Sequence, residues 1–208
     1  MTQITVEMLN DLRRLVADEI GEYRMAHTLG TEQAVARLAA LYCPERENML
    51  RAAALLHDVT KELSDTTQAE IFSTHGIVLR DDEAASPKVW HGMTAALIIP
   101  EKYPEFADEE LISAVRWHTT GRAGMTLTEG IVYLADLIEE GRTFSQCVAL
   151  REAFWGAEPE KMDMKARRRH LRDVILLSLE QTLSHLQGKT ACLDTLAARE
   201  YLLCRNEI

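Results

Sequence analysis

Between Lys165 and His185, apolar side chains return at Leu171, Val174, Ile175, Leu179 and Leu183. Steps of three and four residues lay one apolar stripe along a helix. The same period recurs along nearly the whole chain, β-branched runs are short, and no Asn-Gly or Asp-Gly pair offers a hairpin turn. Such a chain buries its apolar surface helix against helix, so the expected fold class is all-α. Helices are expected at 5–20, 22–42, 46–58, 66–75, 88–99, 108–118, 128–140, 144–155, 164–187 and 195–204, about ten in all. With 208 residues, 47% of them apolar, the chain can build the core of one domain.

Several helix ends have local chemistry behind them. Asp108 and Thr128 stand ahead of apolar periodic stretches as side-chain caps. Gly76 suits a left-handed C-terminal position, Pro44 and Pro87 suit first turns, and Pro100 is expected to stop the helix before it. The segment 76–87, with Asp81-Asp82-Glu83, reads as the longest loop, solvated at the surface.

The formal charge is −10, which argues against a nucleic-acid surface while leaving room for a small anion in a locally basic cleft. The basic run Lys165–Arg169 lies on the amphipathic helix described above and reads as its solvated face. Four scattered cysteines, with no Cys-x-x-Cys, read as reduced residues of a cytoplasmic protein. The first residues show no apolar leader segment, and no apolar run is long enough to span a membrane. The apolar tail helix 195–204 offers a face on which a homodimer could pack.

Against this background His57-Asp58 stands out, an imidazole and a carboxylate at the end of the alanine-rich run 52–56. Both groups cost stability there unless something pairs with them. Arg24-x-x-His27, His91-Gly92, His118-Thr-Thr-Gly121 and Asp136 within the apolar stretch 133–138 supply the same mixture elsewhere. Taken singly, each histidine is an ordinary core or helix-end residue; His75, His170 and His185 have no supporting pattern and read as structural. Neutral imidazoles with carboxylates suit iron, manganese, zinc or nickel, and a carboxylate with two oxygens can bridge two ions. Arg24, Lys61 and Arg142 each follow or precede a candidate ligand by one or two helical turns, the arrangement expected around a phosphate.

In this order His27, His57-Asp58, His91, His118 and Asp136 resemble the ligand series of the HD-domain phosphohydrolases. The motifs Arg24-x-x-His27, Ala53–Lys61, His91-Gly92, His118-Thr-Thr-Gly121 with Met125, and Ala135–Arg142 resemble more closely the symmetrical bis(5′-nucleosyl)-tetraphosphatases of the HD type. The resemblance spans roughly 20–155 and implies one HD domain over 1–208, with helices of 156–208 packing on that core. It implies symmetrical hydrolysis of diadenosine tetraphosphate to two ADP by a metal-activated hydroxide. An iron site would fall on His27, His57, Asp58 and Asp136; manganese and zinc are alternatives. His91 and His118, with Asp58, would complete a second metal site or bind phosphate directly. Arg24, Lys61 and Arg142 would hold the nucleotide phosphates, and Thr119 and Gly121 would line the same cleft. The catalytic group would thus comprise Asp58, Lys61, His91 and His118, with His27 and Asp136 also facing substrate.

Two positions depart from that family pattern. Glu140 stands where proline is common, and the tail keeps Tyr201 without the asparagine that usually follows it. The ligand residues do not choose among nucleotides, so a dNTP, a nucleoside monophosphate or a guanosine alarmone is an alternative substrate. A non-catalytic nucleotide-sensing helical module is the alternative outside enzymology.

Overall fold

The structure is a computed structural model that describes residues 3–186 and 192–208. It contains α1 (Val6–Ala17), α2 (Glu22–Tyr42), α3 (Glu47–Leu56), α4 (Asp65–Thr74), α5 (Asp81–Ala84), α6 (Trp90–Lys102), α7 (Glu109–Trp117), α8 (Leu127–Ile138), α9 (Ser145–Gly156), α10 (Met164–His185) and α11 (Leu193–Leu203). Short 3₁₀ turns begin at Pro44, Pro87, Pro104 and Pro159, and no strand occurs among the described residues. Proline suits each of those first positions because its missing N–H has no helical partner there.

Two helices carry the core. In α3, Leu50, Ala52, Ala53, Ala54, Leu55 and Leu56 are all fully buried, and α1, α2, α7 and α8 pack around them. The three alanines let those neighbours approach closely. Helix α8 is buried along nearly its whole length and is covered by α2, α7, α9 and α10. Phe154 from α9 is fully buried, stacks on His170 and meets Trp155 edge-on.

Helix ends follow local chemistry with three differences from expectation. Asp108 accepts from the backbone N–H groups of Glu110 and Leu111, and Gly76 takes φ 66°. The cap of α8 is Thr126 rather than Thr128: it accepts from Glu129 N–H while the Glu129 carboxylate accepts from Thr126 N–H. Pro100 lies inside the last turn of α6, which runs on to Lys102. A proline this near the end forfeits one intrahelical bond and leaves only two residues beyond it to distort. The segment 76–87 is not merely a solvated loop. It contains α5, and Asp82 and Glu83 are buried. Arg80 binds Asp82 and Asp194, the Leu193 N–H donates to Asp82, and Glu83 faces Arg116, so this segment is stitched to α11 and α7. The end of the expected helix 164–187 at residue 187 lies outside the described residues.

Candidate metal centre

His27 lies in the second turn of α2, His57 and His118 follow the last residues of α3 and α7, His91 is the second residue of α6, and Asp136 sits in α8. Five helices therefore converge on one point, where His27, His57, Asp58, His91, His118 and Asp136 are all buried. Asp58 stands between two lobes.

In the first lobe the Asp58 Oδ2 lies 3.7 Å from His27 Nε2 and 3.5 Å from His57 Nε2. Asp136 Oδ1 lies 2.9 Å from His27 Nε2 and 3.8 Å from His57 Nε2. Donor atoms around one ion, at bonds of about 2.1 Å, stand about 3.0–3.4 Å apart. In the second lobe Asp58 Oδ1 lies 3.2 Å from His91 Nε2 and 3.7 Å from His118 Nε2, and those two ring nitrogens are 3.1 Å apart.

The imidazoles are oriented for ligation. His57 Nδ1 lies 2.6 Å from the Ala54 carbonyl and His118 Nδ1 2.7 Å from that of Val115. A carbonyl only accepts, so both Nδ1 atoms carry the proton and both Nε2 atoms present a lone pair. His57 Nε2 is buried with no hydrogen-bond partner, so its lone pair suits a metal ligand. Burial, with His118 and His27 adding to it against Asp58 and Asp136, pulls the His57 pKa down to about 4. Burial and the neighbouring His118 likewise hold His91 well below the usual histidine range.

The carboxylates show the complementary demand. Burial pushes the Asp58 carboxyl up, but the imidazoles of His57, His118 and His91 outweigh it and hold it well below the usual range. For Asp136, burial is likewise outweighed by His27 and Arg142. Burial opposes a charge on His27, yet Asp136 and Glu139 raise its pKa to about 9. The carboxylates are thus held ionised while His57 and His91 are held neutral, the protonation states that ligands of a divalent cation need.

Three cations surround the carboxylates. Arg24 Nη1 donates to Asp58 Oδ2 at 2.8 Å, and Arg142 Nη2 to Asp136 Oδ1 at 2.5 Å. Lys61 Nζ lies 3.1 Å from both ring nitrogens of His91. Arg24 Nε and Thr119 Oγ1 are buried without partners, so each keeps a free donor. Gly121 takes φ 63° and packs under α11: a Cβ there would meet Met125 at 2.6 Å and Ala198 at 3.1 Å. Tyr201 sits half-buried on α11, packed against the core with the Arg205 guanidinium over its ring. Arg142 pairs with Asp136 rather than with Glu139, its alternative partner by sequence position. Glu139 instead binds His27; the only sequence sign of it was a carboxylate in the last turn of a buried helix. His75 and His170 bind the carbonyls of Ile71 and Phe154, as structural residues do.

Residues 24–141 match the model of the HD domain family. A protein of Halalkalibacterium halodurans named bis(5′-nucleosyl)-tetraphosphatase, symmetrical, is 30% identical over 192 residues, covering 91% of this chain and 94% of its own. A protein of the same name from Bacillus subtilis is 31% identical over 134 residues, 62% of this chain and 68% of its own. A solved structure from Clostridium acetobutylicum, described as a predicted HD superfamily hydrolase involved in NAD metabolism, superposes with a TM-score of 0.78 at 30% identity, over 93% of this chain and 96% of that one.

Proposed function

The chain belongs to the HD-domain family of metal-dependent phosphohydrolases, and from that premise we propose that it hydrolyses diadenosine tetraphosphate symmetrically to two ADP. One observation carries the reading: Asp58 faces two imidazole lobes with its two oxygens, and Arg24, Lys61 and Arg142 ring the same cluster. The likeness to relatives named for that reaction supports it.

His27, His57, Asp58 and Asp136 would hold one divalent ion, iron in this reading, and Asp58, His91 and His118 have donors for a second. Such an ion supplies Lewis acidity at phosphorus and makes water acidic enough to lose a proton near neutral pH. The remaining roles belong to the chain. Arg24 offers its unpartnered Nε–H to a phosphate oxygen and Arg142 the part of its fork turned away from Asp136. Thr119 donates its free hydroxyl beside His118. Lys61 holds an ammonium against the His91 lobe, where it offsets the charge gathering on the departing ADP. Water adds to one of the two central phosphorus atoms, the bridging oxygen leaves with the second ADP, and each product keeps two phosphates.

Iron-loaded protein incubated with diadenosine tetraphosphate should yield ADP alone. AMP with ATP, or no turnover while a dNTP or a guanosine alarmone is consumed, would refute the assignment. The described helices include none long and apolar enough to cross a membrane.

A further inference from the structure

His57 and His118 fix their rings against main-chain carbonyls three residues back, which a helix leaves free at its C-terminal end. His27 has no such carbonyl. It lies well inside α2, where the carbonyls behind it are used by the helix itself. Its Nδ1 points instead at Glu139, whose Oε1 is 3.2 Å away across 112 residues of sequence. Glu139 is 3% exposed, and its other oxygen accepts from the Gly141 N–H at 2.6 Å. The end of α8 is itself fixed: Arg151 donates to the Glu139 carbonyl at 2.6 Å. Room for the carboxylate comes from glycine. A Cβ on Gly30, one turn beyond His27, would stand 2.3 Å from Glu139 Oε2, and one on Gly141 would stand 2.9 Å away.

We infer that Glu139 is a positioning residue that locks His27 with Nε2 toward Asp58 and Asp136, and that Gly30 is the clearance through which it acts. This rests on the reading of His27 as a metal ligand. Both neighbours of the carboxylate donate protons, so one acceptor oxygen cannot serve both. Glutamine therefore replaces glutamate only in part. Substitutions of such outer partners typically weaken metal binding about 10–100-fold.

The test is Mn²⁺ affinity of the full chain, titrated by electron paramagnetic resonance of the free ion. Glu139→Ala should raise the Mn²⁺ dissociation constant about 10–100-fold, with Glu139→Gln between it and the wild type. Gly30→Ala should act in the same direction although alanine is the better helix former, so a loss of affinity is not a loss of the helix. Asp58→Ala is the control. If it binds Mn²⁺ like the wild type, the metal-site reading itself fails; if it loses the ion while the Glu139 and Gly30 variants do not, only the present inference fails. A second measurement needs no variant that must fold. In Zn²⁺-loaded protein labelled with ¹⁵N-histidine, His27 should show a protonated Nδ1 and a metal-bound Nε2. The reverse assignment would overturn the inference.

Discussion

Replacing Lys61 by methionine removes one charge from the site and little volume. Lys61 is half-buried, and burial is the main cause of its lowered pKa, with Arg24 and Arg142 adding to it against Asp58 and Asp136. The folded protein therefore gains little from this ammonium: its attraction to two carboxylates is opposed by desolvation and two guanidinium groups. The unbranched thioether of methionine fills the same path, so helicity and melting temperature should stay near those of the wild type. The function lost is a charge-assisted hydrogen bond to substrate, about 1.5–3 kcal/mol. At about 1.4 kcal/mol per factor of ten, that is roughly a 10- to 150-fold fall in kcat/KM for diadenosine tetraphosphate. None of the four first-lobe donor atoms belongs to Lys61, so iron content by mass spectrometry should not change. A fall of less than threefold, or loss of iron, would refute the placement of Lys61 on the substrate side.

Three further outcomes test the frame around the site. Phe154→Ala removes a fully buried ring and should cost about 3–5 kcal/mol, read as a lowered urea midpoint with unchanged slope. Thr126→Ala removes the hydroxyl that accepts from Glu129 N–H at the start of α8, while the backbone N–H of residue 126 still meets the Glu129 carboxylate, and should cost about 1 kcal/mol by the same assay. Asp82 is held below the ordinary carboxylate range by Arg80 first, with the Leu193 N–H assisting against burial. Its folded pKa is lower than its unfolded one, so the stability it contributes is present above about pH 4 and is lost as pH falls further. Asp82→Asn should therefore flatten the fall in melting temperature below about pH 4; an unaltered slope would show that Asp82 contributes nothing to it.

What could be read in the sequence was whatever depended on neighbours in sequence. Helical period and weak strand signals fixed the architecture, since ten expected helices lie over elements of the structure. The ordered His27, His57-Asp58, His91, His118 and Asp136 were visible as polar groups in apolar helices, and the structure gathers them around Asp58. The failures share a physical cause. Asp82 and Glu83 look like a solvated acidic turn until Asp194 and Arg116 bring Arg80 and the tail to them. Glu139 is only an acidic residue near the end of an expected helix until α2 places His27 beside it. Thr126 is a different case, because Glu129 three residues on was readable as its box partner. Pro100 shows that a stop signal has reach, and that the last turn of α6 lies within it.

His57 and His118 each follow the final residue of a helix, and each spends its Nδ1 proton on a carbonyl that the helix no longer uses. Ending the helix and aiming the ligand are thus one act. A residue inserted in α3 or α7 turns everything after it by about 100° about the helix axis, carrying the imidazole off the site while the new terminal carbonyl faces elsewhere. Lineages of this protein should therefore tolerate insertions and deletions in exposed connections, such as 76–78, and almost none between Glu47 and Asp58 or between Glu109 and His118. The site thus sets the length of those two helices, although each supplies only part of it.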